Sequence, residues 1–81
     1  MELFYTYILY SDKLDKYYVG STSDLDRRMQ EHNRGKSTFT RLGIPWKLVY
    51  SEEYSSKKEA VSREMEIKKH KSRIYIEKLF K

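Results

Sequence analysis

Apolar and polar positions alternate in two short blocks near the start of the chain. Phe4-Tyr5-Thr6-Tyr7-Ile8-Leu9-Tyr10 is aromatic and β-branched, which predicts a strand. A polar, turn-like stretch from Ser11 to Lys16 separates it from a second predicted strand, Tyr17-Tyr18-Val19-Gly20, so the two form an antiparallel hairpin. If Tyr10 opposes Tyr17, then Leu9 opposes Tyr18 and Tyr7 opposes Gly20. In that register Tyr7 and Tyr18 share one face of the sheet, and a slip of one residue would part them. The pattern then turns helical. Ser23 is placed to cap a helix whose acids Asp24 and Asp26 suit the positive end of its dipole; it runs to about Asn33, with Gly35 as its stop. Residues 35–46 read as a loop, and Lys47–Glu52 as a third strand. Ser56-Lys57-Lys58-Glu59 has the capping-box form and opens a second helix reaching Lys69 or beyond. Ser72 caps a short last helix ending near Phe80. No repeat, low-complexity tract or linker interrupts this order. The expectation is an α+β fold of order ββαβαα, a small sheet with helices packed over it, forming one domain over residues 1–81.

Composition narrows the classes. The 81 residues include no Cys, which excludes a disulfide framework and a thiolate zinc site. No apolar run approaches the roughly 20 residues of a membrane-spanning helix, and Met1-Glu2-Leu3 lacks the basic and apolar stretches of a signal peptide. A soluble, cytoplasmic domain with no membrane partner is expected. The net charge of +5 is unevenly placed: residues 1–56 hold 8 basic and 8 acidic side chains, whereas 57–81 hold 9 and 4. A locally basic surface on a small domain points to a polyanion, most commonly nucleic acid. A solvated Lys-rich helix kept for solubility accounts equally well for the charge alone.

Two helices carry polar residues at apolar angles. With Leu25 at zero, Met29 falls at about 40°, His32 at about 340° and Arg28 at about 300°, whereas Arg27 falls at about 200° and faces water. Arg28 and His32 therefore border the buried stripe. A guanidinium at a core edge needs an anion, be it a salt-bridge partner of the chain or a bound ligand, or else it snorkels to water. On the second helix, with Ala60 at zero, Ile67 lies at about 340° and Glu64 at about 40°, while Glu66 lies at about 240° among exposed charges. An inward carboxylate needs a cation, either a side chain or a metal.

These parts suit phosphodiester hydrolysis as well as they suit a buried ion pair. A phenol can orient and deprotonate water, an arginine can hold the phosphate's charged oxygens, and one carboxylate can hold a Mg²⁺ that keeps most of its waters. In the loop, Lys36, Arg41, Thr38 and Thr40 with Phe39 and Trp46 mix donors with aromatics, as backbone contact and base stacking require. The alternative for Trp46 and Phe39 is that they close the small core. Tyr5, Tyr10 and Tyr17 read as sheet packing, and His70 as an exposed helix residue.

At these residues the sequence resembles the GIY-YIG nuclease family, in its small, single-domain bacterial type. The first motif stands as Tyr5-Thr6-Tyr7 followed by Ile8-Leu9, the second as Tyr18-Val19-Gly20 followed by Ser21-Thr22. The motif tyrosines, Tyr7 and Tyr18, are 11 apart. Asp24-Leu25-Asp26-Arg27-Arg28 and His32 resemble the family's helix, with its arginine 10 residues beyond the second tyrosine, and Ala60-Val61-Ser62-Arg63-Glu64 resembles its late helix. That spacing selects Arg28 over Arg27, the same choice the helical angles make.

The resemblance covers about residues 4–80. It implies a three-stranded antiparallel sheet flanked by helices, and metal-dependent endonucleolytic cleavage of nucleic acid, DNA ahead of RNA, in a setting such as DNA repair or recombination. It also implies roles: Tyr18 as base or water-orienting phenol, Tyr7 as its support, Arg28 on the scissile phosphate, His32 as phosphate contact or proton carrier, and Glu64 as ligand of a single Mg²⁺ or Mn²⁺. Lys36, Arg41, Lys68 and Lys69 are the expected nucleic-acid contacts around this centre.

There are departures. Tyr5 and Thr6 replace the glycine and isoleucine of the first motif, and the late asparagine of many members has no counterpart, Asn33 being the chain's only asparagine. Larger members carry added DNA-binding domains, so weak affinity, broad substrate choice or a protein partner supplying specificity is expected here. Two other readings stand beside catalysis: a catalytically silent nucleic-acid-binding module of the same fold, and a structural domain in which Arg28 and Glu64 are merely ion-paired.

Overall fold

A computed structural model describes residues 2–81. Strands β1 (Phe4–Ser11) and β2 (Lys16–Thr22) are followed by helix α1 (Leu25–Asn33), a single 3₁₀ turn (Arg41–Gly43), strand β3 (Trp46–Tyr54) and helices α2 (Lys57–His70) and α3 (Arg73–Lys78). The element order is the expected one, and the sheet is antiparallel with β1 between β2 and β3. Thr6 to Leu9 of β1 are all buried, because helices cover both faces of the central strand. The hairpin has the register that the alternation predicts: Tyr10 pairs with Tyr17, Leu9 with Tyr18 and Tyr7 with Gly20.

Caps set the helix ends, with one shift. Asp24, not Ser23, is the N-cap of α1. Its carboxylate accepts the Arg27 amide at 3.1 Å, while Thr22 Oγ1 accepts the Asp24 amide at 3.1 Å and holds that residue in place. Gly35, at φ +78°, takes the left-handed turn that ends the helix. Ser56 and Ser72 cap α2 and α3 as expected. Strand β3 is longer than the predicted 47–52. The pairing shifts by one residue between Ile8 and Leu9, so Val49 is an added residue in β3, and that bulge changes which of its side chains face inward.

The sheet separates two cores. On the α1 face, Tyr7, Leu9 and Trp46 pack with Leu25, Met29 and Ile44; on the other, Ile8, Val19 and Ile67 pack with Ile76 and Leu79. Trp46 closes the first core and Phe39 does not, being 90% exposed. The Trp46 indole donates to the Thr40 carbonyl at 2.6 Å, and Asn33 holds both its amide (2.7 Å) and its carbonyl (3.2 Å). Asn33 is thus occupied in structure. Tyr10 and Tyr17 pack ring against ring at 5.0 Å, and His70 is exposed, stacked on Tyr75 at 3.8 Å. Thr6 Oγ1 donates to the Ala60 carbonyl at 2.7 Å, locking α2 against the central strand.

Candidate active site

The site begins with a missing side chain. Gly20 lies opposite Tyr7, and a Cβ there would stand 2.5 Å from the Tyr7 hydroxyl and 2.7 Å from its Cζ. Any larger residue would push the phenol aside. Glycine lets the buried Tyr7 ring cross β2 and bring its hydroxyl toward the sheet edge. Tyr18, two residues earlier on the same face, holds its ring 6.4 Å from that of Tyr7.

Helix α1 brings two partners to Tyr7. Arg28 Nε donates to the Tyr7 hydroxyl at 3.4 Å, and His32 Nε2 lies 3.0 Å from the same oxygen. The residues are one helical turn apart, so both reach one phenol. His32 is 1% exposed. Burial, reinforced by the Arg28 charge, holds its pKa below the ordinary value, so the ring is neutral near pH 7. Burial likewise pushes the Tyr7 phenol up to about 12, against the hydrogen bond from Arg28. Since the guanidinium only donates, Tyr7 accepts from Arg28. The other ring nitrogen of His32, Nδ1, shares a hydrogen bond with Thr40 Oγ1 at 2.8 Å, and the ring's tautomer sets the direction of both its bonds. This chain, Arg28 to Tyr7 to His32 to Thr40, holds the four groups together.

Arg28 keeps a free side. Its side chain is 43% exposed and also pairs with Glu31 at 3.2 Å, and the Tyr7 hydrogen bond raises its pKa. Arg27 points to water at 74% exposure, as the helical angles require. The Tyr18 hydroxyl has no hydrogen-bond partner among the described residues, and the ring is wedged at 4.9 Å from His32 and 6.3 Å from Trp46. The molecule therefore presents a fixed phenol with a free hydroxyl beside a half-exposed guanidinium.

Glu64 approaches from α2. Its side chain is 18% exposed; Ser21 Oγ donates to one carboxylate oxygen at 2.7 Å and Lys68 Nζ to the other at 2.6 Å. The Lys68 ammonium also lies 5.8 Å from the centre of the Tyr18 ring, joining the carboxylate to the tyrosine side of the site, and the Glu64 charge helps raise the Tyr7 phenol. Arg28 and Glu64 form no ion pair with each other: Arg28 pairs with Glu31 and Glu64 with Lys68. Each therefore has an ion-pair partner of its own within the chain, as a purely structural role would also give it, and both pairs keep one side open: the Arg28 side chain is 43% and the Lys68 side chain 49% exposed.

The remaining expected contacts divide. Lys36 borders a cleft of about 260 Å³ with Arg28 and His32, and Lys68 belongs to the site itself. Arg41 is exposed and its stem packs over Gly35; Lys69, about 140° around α2 from Glu64, faces away. Two participants escape sequence reasoning. Thr40 looks like a surface donor yet is fully buried against His32, and Ser21 becomes legible only once β2 and α2 are brought together.

Comparison with known proteins agrees with this fold. Residues 3–78 match the GIY-YIG catalytic domain. The chain belongs to the GIY-YIG family. GIY-YIG domains are in general nuclease domains that act on nucleic acid and use a divalent metal. The chain is 45% identical over 56 residues to a UPF0213 protein of Streptococcus pneumoniae serotype 4, covering 68% of this chain and 57% of that protein. It is 42% identical over 71 residues to one of Streptococcus pyogenes serotype M3, covering 85% and 75%. The match thus spans little more than half the length of the pneumococcal relative. A UPF0213 protein from Bacillus halodurans, solved by solution NMR, is similar in structure with a TM-score of 0.58 and 40% identity, over 95% of this chain and 81% of that one. No helix among the described residues of this GIY-YIG chain is long and apolar enough to cross a membrane.

The family's metal can be tested against the residues present. Among the described residues there is no cluster of three or more His, Cys, Asp or Glu side chains. Zinc held by several protein ligands does not suit the site. A single, partly buried carboxylate suits Mg²⁺ or Mn²⁺, which fill their remaining positions with water and phosphate oxygens. Glu64 is the carboxylate that would hold such an ion, and the half-exposed Lys68 side chain, 49% accessible, has room to yield its place.

Proposed function

We propose that this chain is a metal-dependent endonuclease that hydrolyses phosphodiester bonds of nucleic acid, DNA ahead of RNA. It works in the cytoplasm, its 81 residues acting as one catalytic domain. The observation that supports this reading most is that Arg28 and Glu64 both act on the Tyr7 hydroxyl, whose ring lies 6.4 Å from that of Tyr18, while pairing with Glu31 and Lys68 and not with each other.

Arg28, oriented by Tyr7, receives the scissile phosphate and stabilises charge growing on its non-bridging oxygens. Tyr18 orients the attacking water and takes its proton as the phenolate, its own hydroxyl proton having passed to bulk water. Tyr7 keeps its own proton at neutral pH and serves as a support, passing the orientation of His32 to Arg28. His32, neutral, 1% exposed and bonded at both ring nitrogens, does not reach the phosphate; it anchors the Tyr7 hydroxyl and relays a proton through it. Glu64 holds the Mg²⁺ or Mn²⁺, with Ser21 setting the carboxylate's angle; when bound, the ion supplies positive charge at the leaving oxygen. Lys36, Arg41, Lys68 and Lys69 supply attraction for the polyanion.

One observation favours a second reading, a binding module that does not turn over: Lys68 already pairs with the carboxylate at 2.6 Å. A cleavage panel of single-stranded, duplex and branched DNA and RNA, with Mg²⁺ or Mn²⁺ and with chelator, separates the two. Metal-dependent nicking that disappears in Glu64→Ala, with an unchanged circular dichroism spectrum, supports catalysis. Salt-sensitive binding without nicking in any arm gives the site to the binding module.

A further inference from the structure

A second concavity lies beside this site. Strand β2 forms one wall and the corner between α2 and α3 the other, enclosing about 430 Å³, within the roughly 300–1,000 Å³ of small-ligand sites. Its floor is apolar: half-buried Ile76 from α3 with Tyr17 and Tyr18 from the strand, backed by the almost fully buried Val19 and Ile67. Its rim is cationic. Lys16 stands on the strand side and Lys71 at the corner, and neither forms an ion pair among the described residues. The one acid on the rim, Asp15, is engaged by Arg73 at 2.7 Å.

Helix-end electrostatics does not account for this rim. Lysines at the end of α2 suit its negative pole, but Lys16 belongs to β2. Lys71 adopts φ 49°, the left-handed turn that ends α2, and so stands at the corner beside the groove. Tyr18 and Lys68 line the groove and also belong to the proposed centre, so the two are continuous. A strand with its phosphate on Arg28 that runs past Tyr18 and Lys68 enters the groove with its next nucleotide.

We infer that this groove binds the nucleotide adjoining the scissile phosphate, its base on the floor at Ile76 and Tyr18, over Val19 and Ile67, and its phosphates on Lys16 and Lys71. The inference rests on the nuclease reading of the neighbouring site. A base on that floor is unpaired, so the groove selects single strands or frayed ends over intact duplex.

The test uses the full chain carrying Glu64→Ala and a short fluorescein-labelled single-stranded oligonucleotide, followed by anisotropy. Lys16→Glu with Lys71→Glu should weaken binding about tenfold or more and lower the salt slope by about 1.4, two phosphate contacts at roughly 0.7 each on a single strand. Lys58→Glu with Lys78→Glu, the same charge change at exposed sites outside the groove, should do much less. Methyl NMR signals of Val19, Ile67 and Ile76 should shift with the single strand and far less with a blunt hairpin duplex. Equal weakening by both lysine pairs, stationary methyl signals, or shifts that follow protein concentration without oligonucleotide would each overturn the groove assignment. Cleavage by the parent chain alongside any of those results leaves the nuclease reading intact. A groove-dependent binder that cuts nothing removes the nuclease reading and keeps the groove.

Discussion

Two clusters on this molecule are built from the same residue types and behave differently. Around Arg63, the guanidinium pairs with Glu52 at 3.0 Å and Glu66 at 2.8 Å and donates to Tyr75 at 2.9 Å, while Tyr50 and Tyr54 both donate to Glu52. Every charge finds its opposite within the cluster. Arg63 and Glu52 are 18% and 19% exposed, the Glu52 hydrogen bond raises the Arg63 pKa, and the Tyr54 phenol, donating to Glu52, is pushed up to about 12. Burial pushes the Glu52 carboxyl up, but Arg63 and the two phenols outweigh it and hold it below the ordinary range. Around Arg28 and Glu64, arginine, tyrosines and carboxylate are again gathered, yet each charge pairs at the rim, Arg28 with Glu31 and Glu64 with the half-exposed Lys68, and the Tyr18 hydroxyl is free. Arg63 and Glu64 are neighbours in sequence with similar exposure, and they serve opposite clusters. A self-satisfied polar cluster holds α2 to β3. One left open toward solvent is available to a ligand.

The sharpest way to break this contrast is at the open cluster. Tyr18→Phe should lower cleavage by about 10²–10⁴-fold, and Arg28→Ala by about 10²–10³-fold, with melting temperatures near the parent's. Single-turnover rates on the best substrate of the panel check both, and near-parent rates would remove these residues from the centre. Arg63→Ala should do the reverse, costing about 2–3 kcal/mol by leaving Glu52 buried without its cation, with cleavage per folded molecule unchanged. Urea titration measures the loss; a stable but inactive variant would reverse the roles assigned to the clusters.

Gly20→Ala sits between the two. Its methyl would displace the Tyr7 hydroxyl, costing about 1–3 kcal/mol, and cleavage should fall further than in Arg63→Ala at equal stability. The smallest effects are in pH. The His32 pKa is lowered in the fold, so below the unfolded value of about 6.5 the unfolded chain binds more protons and stability falls with falling pH. Tyr7 acts at the other end: with its pKa raised to about 12 from 10.0, its contribution is complete below pH 10 and is lost as pH rises toward 12. Melting curves against pH for the parent, His32→Asn and Tyr7→Phe check both slopes; the acid slope should flatten only in the first variant and the alkaline slope only in the second.

Much of the open cluster was legible from periodicity. Angles on α1 separated Arg28 and His32 from Arg27, and angles on α2 separated Glu64 from Glu66. The same angles did not separate Glu64 from Arg63 by role, because a wheel shows which way a residue faces and not what waits there. The loop was harder still. Phe39 and Thr40 are adjacent, yet one is 90% exposed and the other fully buried, since Trp46 and His32 both bond to Thr40 and turn its neighbour outward.

By itself the sequence determined the element order, the hairpin register and the shared face of Tyr7 and Tyr18. Those depend on periods of two and 3.6 residues and on local caps, which are properties of adjacent residues. Only the tertiary structure decided that Ser21 would meet Glu64 across 43 residues, that Thr40 would hold His32, and that Arg28 and Glu64 would stay apart. Such partnerships depend on where α1 and α2 land on the two faces of one sheet. That placement is set by packing summed over the whole chain, not by any segment of it.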